Sequence, residues 1–151
     1  MNEFIAKKLG EVVAFSRIGL ELEERGGAAF DEALSSDTAE YKAQLVAWES
    51  AALEMGNEVT TAKAEKTTEK LRKMMELYIG DEWDNSVELL EWMSFFYGSA
   101  SAHWSLVSGA SEAAGLSDLH AMAGEAQEGY HQYLHHTIAA LREVGVARAT
   151  A

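Results

Sequence analysis

Apolar residues recur at three- and four-residue spacing along nearly the whole chain, which is the periodicity of amphipathic α-helices. Proline is absent and tight-turn dipeptides are rare, so few strands or hairpins can be placed. The pattern predicts an all-α protein with a single domain over residues 1–151. We expect a four-helix bundle in an antiparallel, up-down arrangement, with helices of about 27 to 40 residues.

The most apolar stretch runs from Ser86 to Ala114 and is predicted to be the central helix. At about 100° per residue, one of its faces is large and apolar while the opposite face has almost no side chains. The first face comprises Leu89, Phe96, Ala100, His103, Val107 and Ala114, and the second comprises Ser94, Gly98, Ser101, Ser105, Ser108 and Gly109. The large face is expected to be core. The small face should lie close against a second neighbouring helix or a second copy of the chain, and a homodimer is predicted.

Two helices are predicted before this stretch. The first covers about Asn2 to Ala29 and is expected to fray or end at Gly26-Gly27. Asp37 followed by Glu40 has the spacing of an N-cap with a reciprocal acid at the third helical position. The second helix should therefore start near Thr38.

The segment from Thr60 to Lys73 is polar on nearly all sides, yet no helix breaker follows before Gly80. Two interpretations are open. The second helix continues to about Tyr78 and overhangs the bundle, or Lys63 to Trp83 is a crossover segment that returns along the bundle. Continuation is favoured, because a long non-helical loop without glycine or proline is unusual.

The last two helices are delimited by polar residues and glycines. Asn85-Ser86 is expected to open the central helix and Gly115 to close it. Ser117 or Asp118 is expected to cap the final helix, which should end near Gly145. These bounds predict a helical hairpin with its turn at Gly115.

Charge and cysteine content narrow the possible functions. The chain carries 12 basic and 25 acidic residues, a formal charge of −13, which repels nucleic-acid phosphates and anionic membrane surfaces. We therefore expect neither nucleic acid nor a membrane as a partner. Cysteine is absent, so any metal site must be built from His, Asp and Glu. No signal peptide or membrane-spanning run of about 20 apolar residues is evident, and a cytoplasmic location is expected.

One cluster in the last helix has the spacing of metal ligands, namely Glu128-x-x-His131 and His131-x-x-x-His135. Residues three and four apart share a helix face, so these side chains could converge on one divalent ion. If the last two helices pair about Gly115, His103 lies level with Gly129 and hence with this cluster. The sequence thus predicts a single site of His103, Glu128, His131 and His135, with zinc, iron(II) or manganese as the ion.

The Glu128-x-x-His131 motif on the last helix of a bundle resembles the ferritin-like di-iron carboxylate proteins. The His131-x-x-x-His135 pair is similar to the DinB-like metal-dependent bundles, which add a third histidine from another helix. Those resemblances imply a metal-binding four-helix bundle. His103 could fill the role of the third histidine, although the DinB-like family takes that residue from an earlier helix and the region around Trp48 has none. The chain departs from the ferritin-like pattern in its second helix, which offers Glu54-x-x-Asn57 and no histidine.

A simpler interpretation of the same residues stays open. Glu128, His131 and His135 lie about 100° from the centre of their helix's apolar stripe, so they also fit an ordinary solvated face. His103 by itself fits a buried histidine hydrogen-bonded to a serine or a carboxylate. No phosphate-binding loop or nucleophile elbow is present. Two function classes follow: a non-catalytic assembly or interaction protein, or a metal-binding bundle, with enzymatic activity undecided.

Overall fold

Five α-helices and no strands make up the computed structural model, which describes all of residues 1–151. The helices are α1 (Glu3–Leu34), α2 (Thr38–Met55), α3 (Glu58–Ile79), α4 (Ser86–Ala113) and α5 (Ser117–Ala149). The predicted all-α class is confirmed, while the chain forms one helix more than the predicted four. None of the helices combines the length and apolarity that crossing a bilayer requires.

Side-chain caps fix the starts of two helices where the sequence predicts them. The Asp37 carboxylate accepts a hydrogen bond from the backbone N–H three residues on, at 3.2 Å, and α2 begins at the next residue. Asn85 accepts from two N–H groups in the first turn of α4. The predicted cap by Ser117 or Asp118 is wrong, because α5 already begins at Ser117 and Leu116 precedes it without a side-chain cap.

The Gly26-Gly27 pair interrupts the helical geometry of α1, as predicted, and leaves a kink between two helical segments. Gly27 has φ +52°, a left-handed conformation that glycine adopts at little cost, and the helix resumes beyond it as far as Leu34. The predicted end near Ala29 is therefore wrong. At the other end of the chain α5 also runs past the predicted Gly145, since nothing there prevents helical geometry up to Ala149.

The favoured continuation of the second helix to Tyr78 is also wrong. Helix α2 ends at Met55, immediately before Gly56. Asn57 then caps the start of a new helix and forms a capping box with Thr60. In this box the Thr60 hydroxyl accepts from the Asn57 N–H at 3.2 Å, and it also donates to the carbonyl of Ala6 in α1 at 2.8 Å. Helix α3 thus lies along α1, which is closer to the alternative crossover interpretation than to an overhang.

Helix α1 is the most deeply buried element, rather than the predicted α4. Helix α3 runs beside it in the same direction, because Ala6 bonds Thr60 near one end and Glu21 pairs with Arg72 at 2.9 Å further along. Helices α2, α4 and α5 also pack on α1. Consequently α1 separates α3 from α2.

The two faces of α4 behave as their side chains suggest. The large face is mostly buried, with Leu89, Phe96, Ala100 and Val107 inside, His103 half-buried and Ala114 exposed. Part of the small face lies against α5, where Ser101 is buried and the Ser108 hydroxyl is 3.2 Å from Nδ1 of His120, while Ser105 and Gly109 are exposed. The close neighbour predicted for this face is therefore α5 of the same chain, and the homodimer stays a prediction.

Four tyrosines from three helices meet in the core between α1, α2, α4 and α5: Tyr41, Tyr97, Tyr130 and Tyr133. Tyr97 donates to the Tyr41 hydroxyl at 3.1 Å, and Tyr41 donates to the carbonyl of Gly19 at 3.2 Å. Tyr133 donates to the side-chain oxygen of Gln44. Burial raises the pKa of all four phenols, because the charged phenolate is poorly solvated inside the protein. We call this set the tyrosine cluster.

Candidate functional site

The structure brings three of the four predicted metal ligands to one place. Glu128, His131 and His135 are exposed on α5 and line one surface depression, together with Gln132 and His136. His103 is absent from that depression and lines a different cavity. No group of three or more His, Asp or Glu side chains has an arrangement that could hold a metal ion. The four residues therefore do not form one site in this structure.

His103 is held by its own helix and by α1. Its Nδ1 lies 2.8 Å from the carbonyl oxygen of Ser99, and because a carbonyl only accepts, Nδ1 carries the proton. The ring packs on Phe15 with 5.0 Å between ring centroids. The residue is half-buried and bonded to a serine backbone, which is close to the simpler interpretation of this histidine.

The cavity beside His103 opens between α1, α3 and α4. Helices α3 and α4 touch where Tyr78 packs on Trp92 and Phe95, but they have few other contacts, so a space of about 290 Å³ remains over α1. Its walls are mostly polar and are supplied by three helices: Glu11 and Phe15 of α1, Lys63, Lys66, Thr67, Lys70, Leu71 and Met74 of α3, and Ser99 and His103 of α4. We call it the lysine cavity.

Three lysines of α3 share one face because of their spacing. Lys63, Lys66 and Lys70 are three and four residues apart, so they line one side of the helix and point to the same opening. No aspartate or glutamate lies four residues from any of them, which removes the usual ion-pair partner within a helix. Glu69, three residues after Lys66, pairs instead with Lys73 at 3.3 Å.

These lysines are unusual in this chain. Seven of the 12 lysines and arginines form ion pairs with carboxylates, and these are Lys7, Lys8, Arg17, Arg25, Lys42, Arg72 and Lys73. Lys63, Lys66 and Lys70 form none, although acidic residues outnumber basic ones by about two to one. Three unpaired cations thus meet at one cavity of an acidic protein.

The only carboxylate in the cavity wall already has a partner. Glu11 is half-buried, and one of its oxygens lies 3.0 Å from Nζ of Lys8. Because this ion pair neutralises Glu11, the three lysines leave the cavity with a surplus of positive charge. The wall also offers hydroxyl groups from Thr67 and Ser99, which can donate hydrogen bonds to an anion.

The arrangement suits binding better than nucleophilic chemistry. The Ser99 hydroxyl lies 3.5 Å from Nδ1 of His103, which is long for a hydrogen bond. That nitrogen also donates to the Ser99 carbonyl, so it is not available as a base for the hydroxyl. What the cavity can do is hold a negatively charged group over an apolar floor made by Phe15 and Leu71.

The cavity was not predicted, although its lysines have a signal in the sequence. Lys63-x-x-Lys66-x-x-x-Lys70, with no acid four residues from any of the three, indicates a cationic helix face. The favoured prediction for this segment is instead a helix that overhangs the bundle and is polar on nearly all sides. Without the break at Gly56, nothing placed its lysines beside His103.

Comparison with known proteins provides no relative from which a function could be transferred. No family model matches the chain, no similar curated protein is found, and no solved structure matches it. The function must be argued from the lysine cavity and from the histidines of α5.

Proposed function

We propose that this protein is a non-catalytic binding protein that holds an anionic ligand in the lysine cavity. The observation that carries the proposal is that Lys63, Lys66 and Lys70, which have no carboxylate partner, all line one cavity of a chain with a formal charge of −13. This is a specific form of the interaction class, which is one of the two function classes that the sequence leaves open.

Electrostatics supports a ligand with more than one negative charge. Three neighbouring ammonium groups repel one another, and a multivalent anion between them replaces that repulsion with charge-assisted hydrogen bonds. The net charge of the chain opposes the approach of an anion, so the affinity must come from short-range contacts within the cavity. Binding should therefore weaken as salt screens those contacts.

The test uses inorganic pyrophosphate, titrated into the full-length protein at low ionic strength by calorimetry. The triple variant Lys63→Gln, Lys66→Gln, Lys70→Gln removes the cavity charges. A matched control, Lys7→Gln, Lys42→Gln, Lys73→Gln, makes the same change in net charge at lysines that pair with glutamates elsewhere. We expect at least about tenfold weaker binding in the cavity variant and less than about threefold in the control.

The position of the anion can be read from the histidine side chains by NMR. His103 lines the cavity, whereas His131, His135 and His136 lie together on α5, so pyrophosphate should shift the ring signals of His103 alone among these four. Equal weakening in the two triple variants, or shifts confined to the α5 histidines, would overturn the proposal.

A second candidate function is binding of a divalent metal ion on α5. It is supported by Glu128, His131 and His135, which line one depression at three- and four-residue spacing. All three are exposed, so rotamer changes alone can bring their side chains towards an ion. Zinc should then bind with an affinity that His131→Ala lowers and that His103→Ala leaves unchanged. Loss of zinc binding in His103→Ala alone would contradict this candidate.

A further inference from the structure

The lysine cavity continues into an exposed apolar surface on the same two helices. Met74 lines the cavity and is 49% exposed. One turn further along α3 the Tyr78 ring lies 5.4 Å from the ring of Phe95 on α4, and Phe95 is 62% exposed. Phe95 is in turn one helical turn from Ser99 of the cavity wall. The apolar surface of Met74, Tyr78 and Phe95 therefore adjoins one end of the cavity, and we call the two together the groove.

Charge and apolar character are separated along this groove. On α3 the order is Lys63, Lys66 and Lys70 followed by Met74 and Tyr78. On α4, which contributes the opposite wall, His103 and Ser99 lie level with the lysines, and Phe95 lies at the tyrosine end. A ligand lying along the groove meets cations at one end and apolar side chains at the other.

From this arrangement we infer that the anionic ligand is an amphiphile, a phosphate or carboxylate headgroup joined to a linear apolar tail. The inference rests on the proposed function and adds a tail to its anion. The headgroup lies among the lysines, and the tail lies over Met74 towards Phe95. The eight helical steps from Lys70 to Tyr78 rise about 12 Å, which accommodates an extended chain of roughly nine carbons.

The size of the cavity favours this ligand over a folded partner. Its volume of about 290 Å³ is at the lower end of the range for small-molecule sites, and its floor of Phe15 and Leu71 is buried. Such a space admits a headgroup and the first carbons of a tail. An acidic amphipathic peptide would need the groove to widen, and it serves as a competing outcome in the test.

A chain-length series measures the contribution of the tail. Inorganic phosphate, butyl phosphate and octyl phosphate are titrated by calorimetry, each below the concentration at which it forms micelles. Full burial strengthens binding by about fourfold per methylene, and a half-open groove should give about twofold, so octyl phosphate should bind roughly 16-fold more tightly than butyl phosphate. Equal affinity of the two alkyl phosphates would overturn the inference.

Variants locate the tail. Phe95→Ser, outside the cavity wall, should remove most of the gain from butyl to octyl phosphate and leave the affinity for pyrophosphate unchanged. Met74→Ser, in the cavity wall beside the apolar surface, should also remove most of that gain. Ile138→Ser is the matched control, because Ile138 is 55% exposed on α5, away from the groove. Circular dichroism of each variant shows that it is folded. Should the gain persist in Phe95→Ser and Met74→Ser, the tail lies elsewhere and the inference fails.

The remaining outcomes separate the inference from the function on which it rests. Pyrophosphate binding that depends on the cavity lysines, without any gain from a tail, overturns the inference alone. Failure of every phosphate to bind overturns both. Binding to phosphatidic acid vesicles without binding to monomeric octyl phosphate would make the groove a membrane contact. Binding to an acidic amphipathic peptide alone would make it a protein-docking surface, and either result overturns the amphiphile.

Discussion

The two sides of α1 use polar residues in opposite ways. On the side of α2 and α5, the tyrosine cluster is buried, and three of its four hydroxyls donate to an oxygen of the protein. On the side of α3, Lys63, Lys66 and Lys70 surround an open cavity and have no carboxylate partner. On the first side most hydroxyls are paired within the chain, whereas on the second side the three lysines remain without a carboxylate partner.

This contrast separates residues that maintain the fold from residues available for a ligand. An unpaired polar group in the core costs free energy. Three of the four tyrosines avoid that cost by donating to oxygens of the chain, whereas the buried Tyr130 hydroxyl has no partner. Water solvates a lysine at an open cavity, so it gains little stability there and loses little if it is replaced. Substitutions on the two sides should therefore differ in their effect on stability.

The largest expected effect is loss of the folded state in alkaline solution. Burial raises the pKa of Tyr41, Tyr97 and Tyr130 in the folded protein, whereas an unfolded tyrosine ionises near pH 10. Below about pH 10 both states are protonated and the stability is fully present. Above it, only the unfolded state loses protons, so each buried tyrosine should lower stability by about 1.4 kcal/mol per pH unit.

Urea unfolding between pH 8 and pH 12 measures this slope, and absorbance of phenolate reports ionisation. Tyr97→Phe keeps the ring and removes one ionisable group. The slope of the free energy of unfolding against pH should therefore become shallower by the contribution of one tyrosine, about 1.4 kcal/mol per pH unit. If all five tyrosines ionise near pH 10 while the protein stays folded, the hydroxyls of the cluster are not buried as the structure has them.

Phe95 and Phe96 provide a comparison between neighbouring residues. Phe96 is 2% exposed and contacts Phe15, Trp92 and Tyr97, so Phe96→Ala should cost about 3–5 kcal/mol. Phe95 faces the groove, and Phe95→Ala should cost less than about 1 kcal/mol. Thermal melts of both variants test the difference. An unchanged melting temperature for Phe96→Ala would contradict the assignment of that face of α4 to the core.

Two glycines of α5 should respond to alanine in opposite directions. A Cβ at Gly129 would overlap the indole of Trp48, and such overpacking costs about 1–3 kcal/mol. A Cβ at Gly124 would meet nothing, and alanine there should stabilise the helix by about 0.5–1 kcal/mol. Chemical denaturation of both variants measures the two signs. Stabilisation by Gly129→Ala would mean that α5 does not approach Trp48 this closely.

Much of the side of α1 that packs on α2 and α5 can be predicted from the sequence, because the signals are local. The apolar face of α4 and the cap at Asp37 follow from periodicity and from a single polar residue at a helix start. The cluster of tyrosines could not be predicted, since it joins residues as distant as Tyr41 and Tyr133. Their meeting depends on how the helices pack, which no local pattern specifies.

The open side was harder to predict, and the reason lies in α3. This helix buries only a narrow stripe, and without a broad apolar face its sequence gives little indication of where it packs. Its start at Asn57 depends on one glycine and a capping box, which an otherwise continuous helical pattern obscures. The predicted metal site shows a similar limit. The sequence places His103 and His131 at the same height along the α4–α5 hairpin, but in the structure the two residues line different cavities.

The smallest expected effect concerns the lysine cavity. Lys63→Gln, Lys66→Gln and Lys70→Gln together should change the free energy of unfolding by no more than about 0.5 kcal/mol, because glutamine has a similar helix propensity and no ion pair is lost. Arg72→Gln on the same helix is the comparison, since it breaks a 2.9 Å pair with Glu21 and should cost up to about 1 kcal/mol. Urea unfolding at pH 7 measures both.

A loss above about 2 kcal/mol in the triple variant would show that these lysines hold α3 in place, and the contrast between the two sides of α1 would then be wrong. Unchanged stability together with lost pyrophosphate binding is the combination expected of residues that serve a ligand.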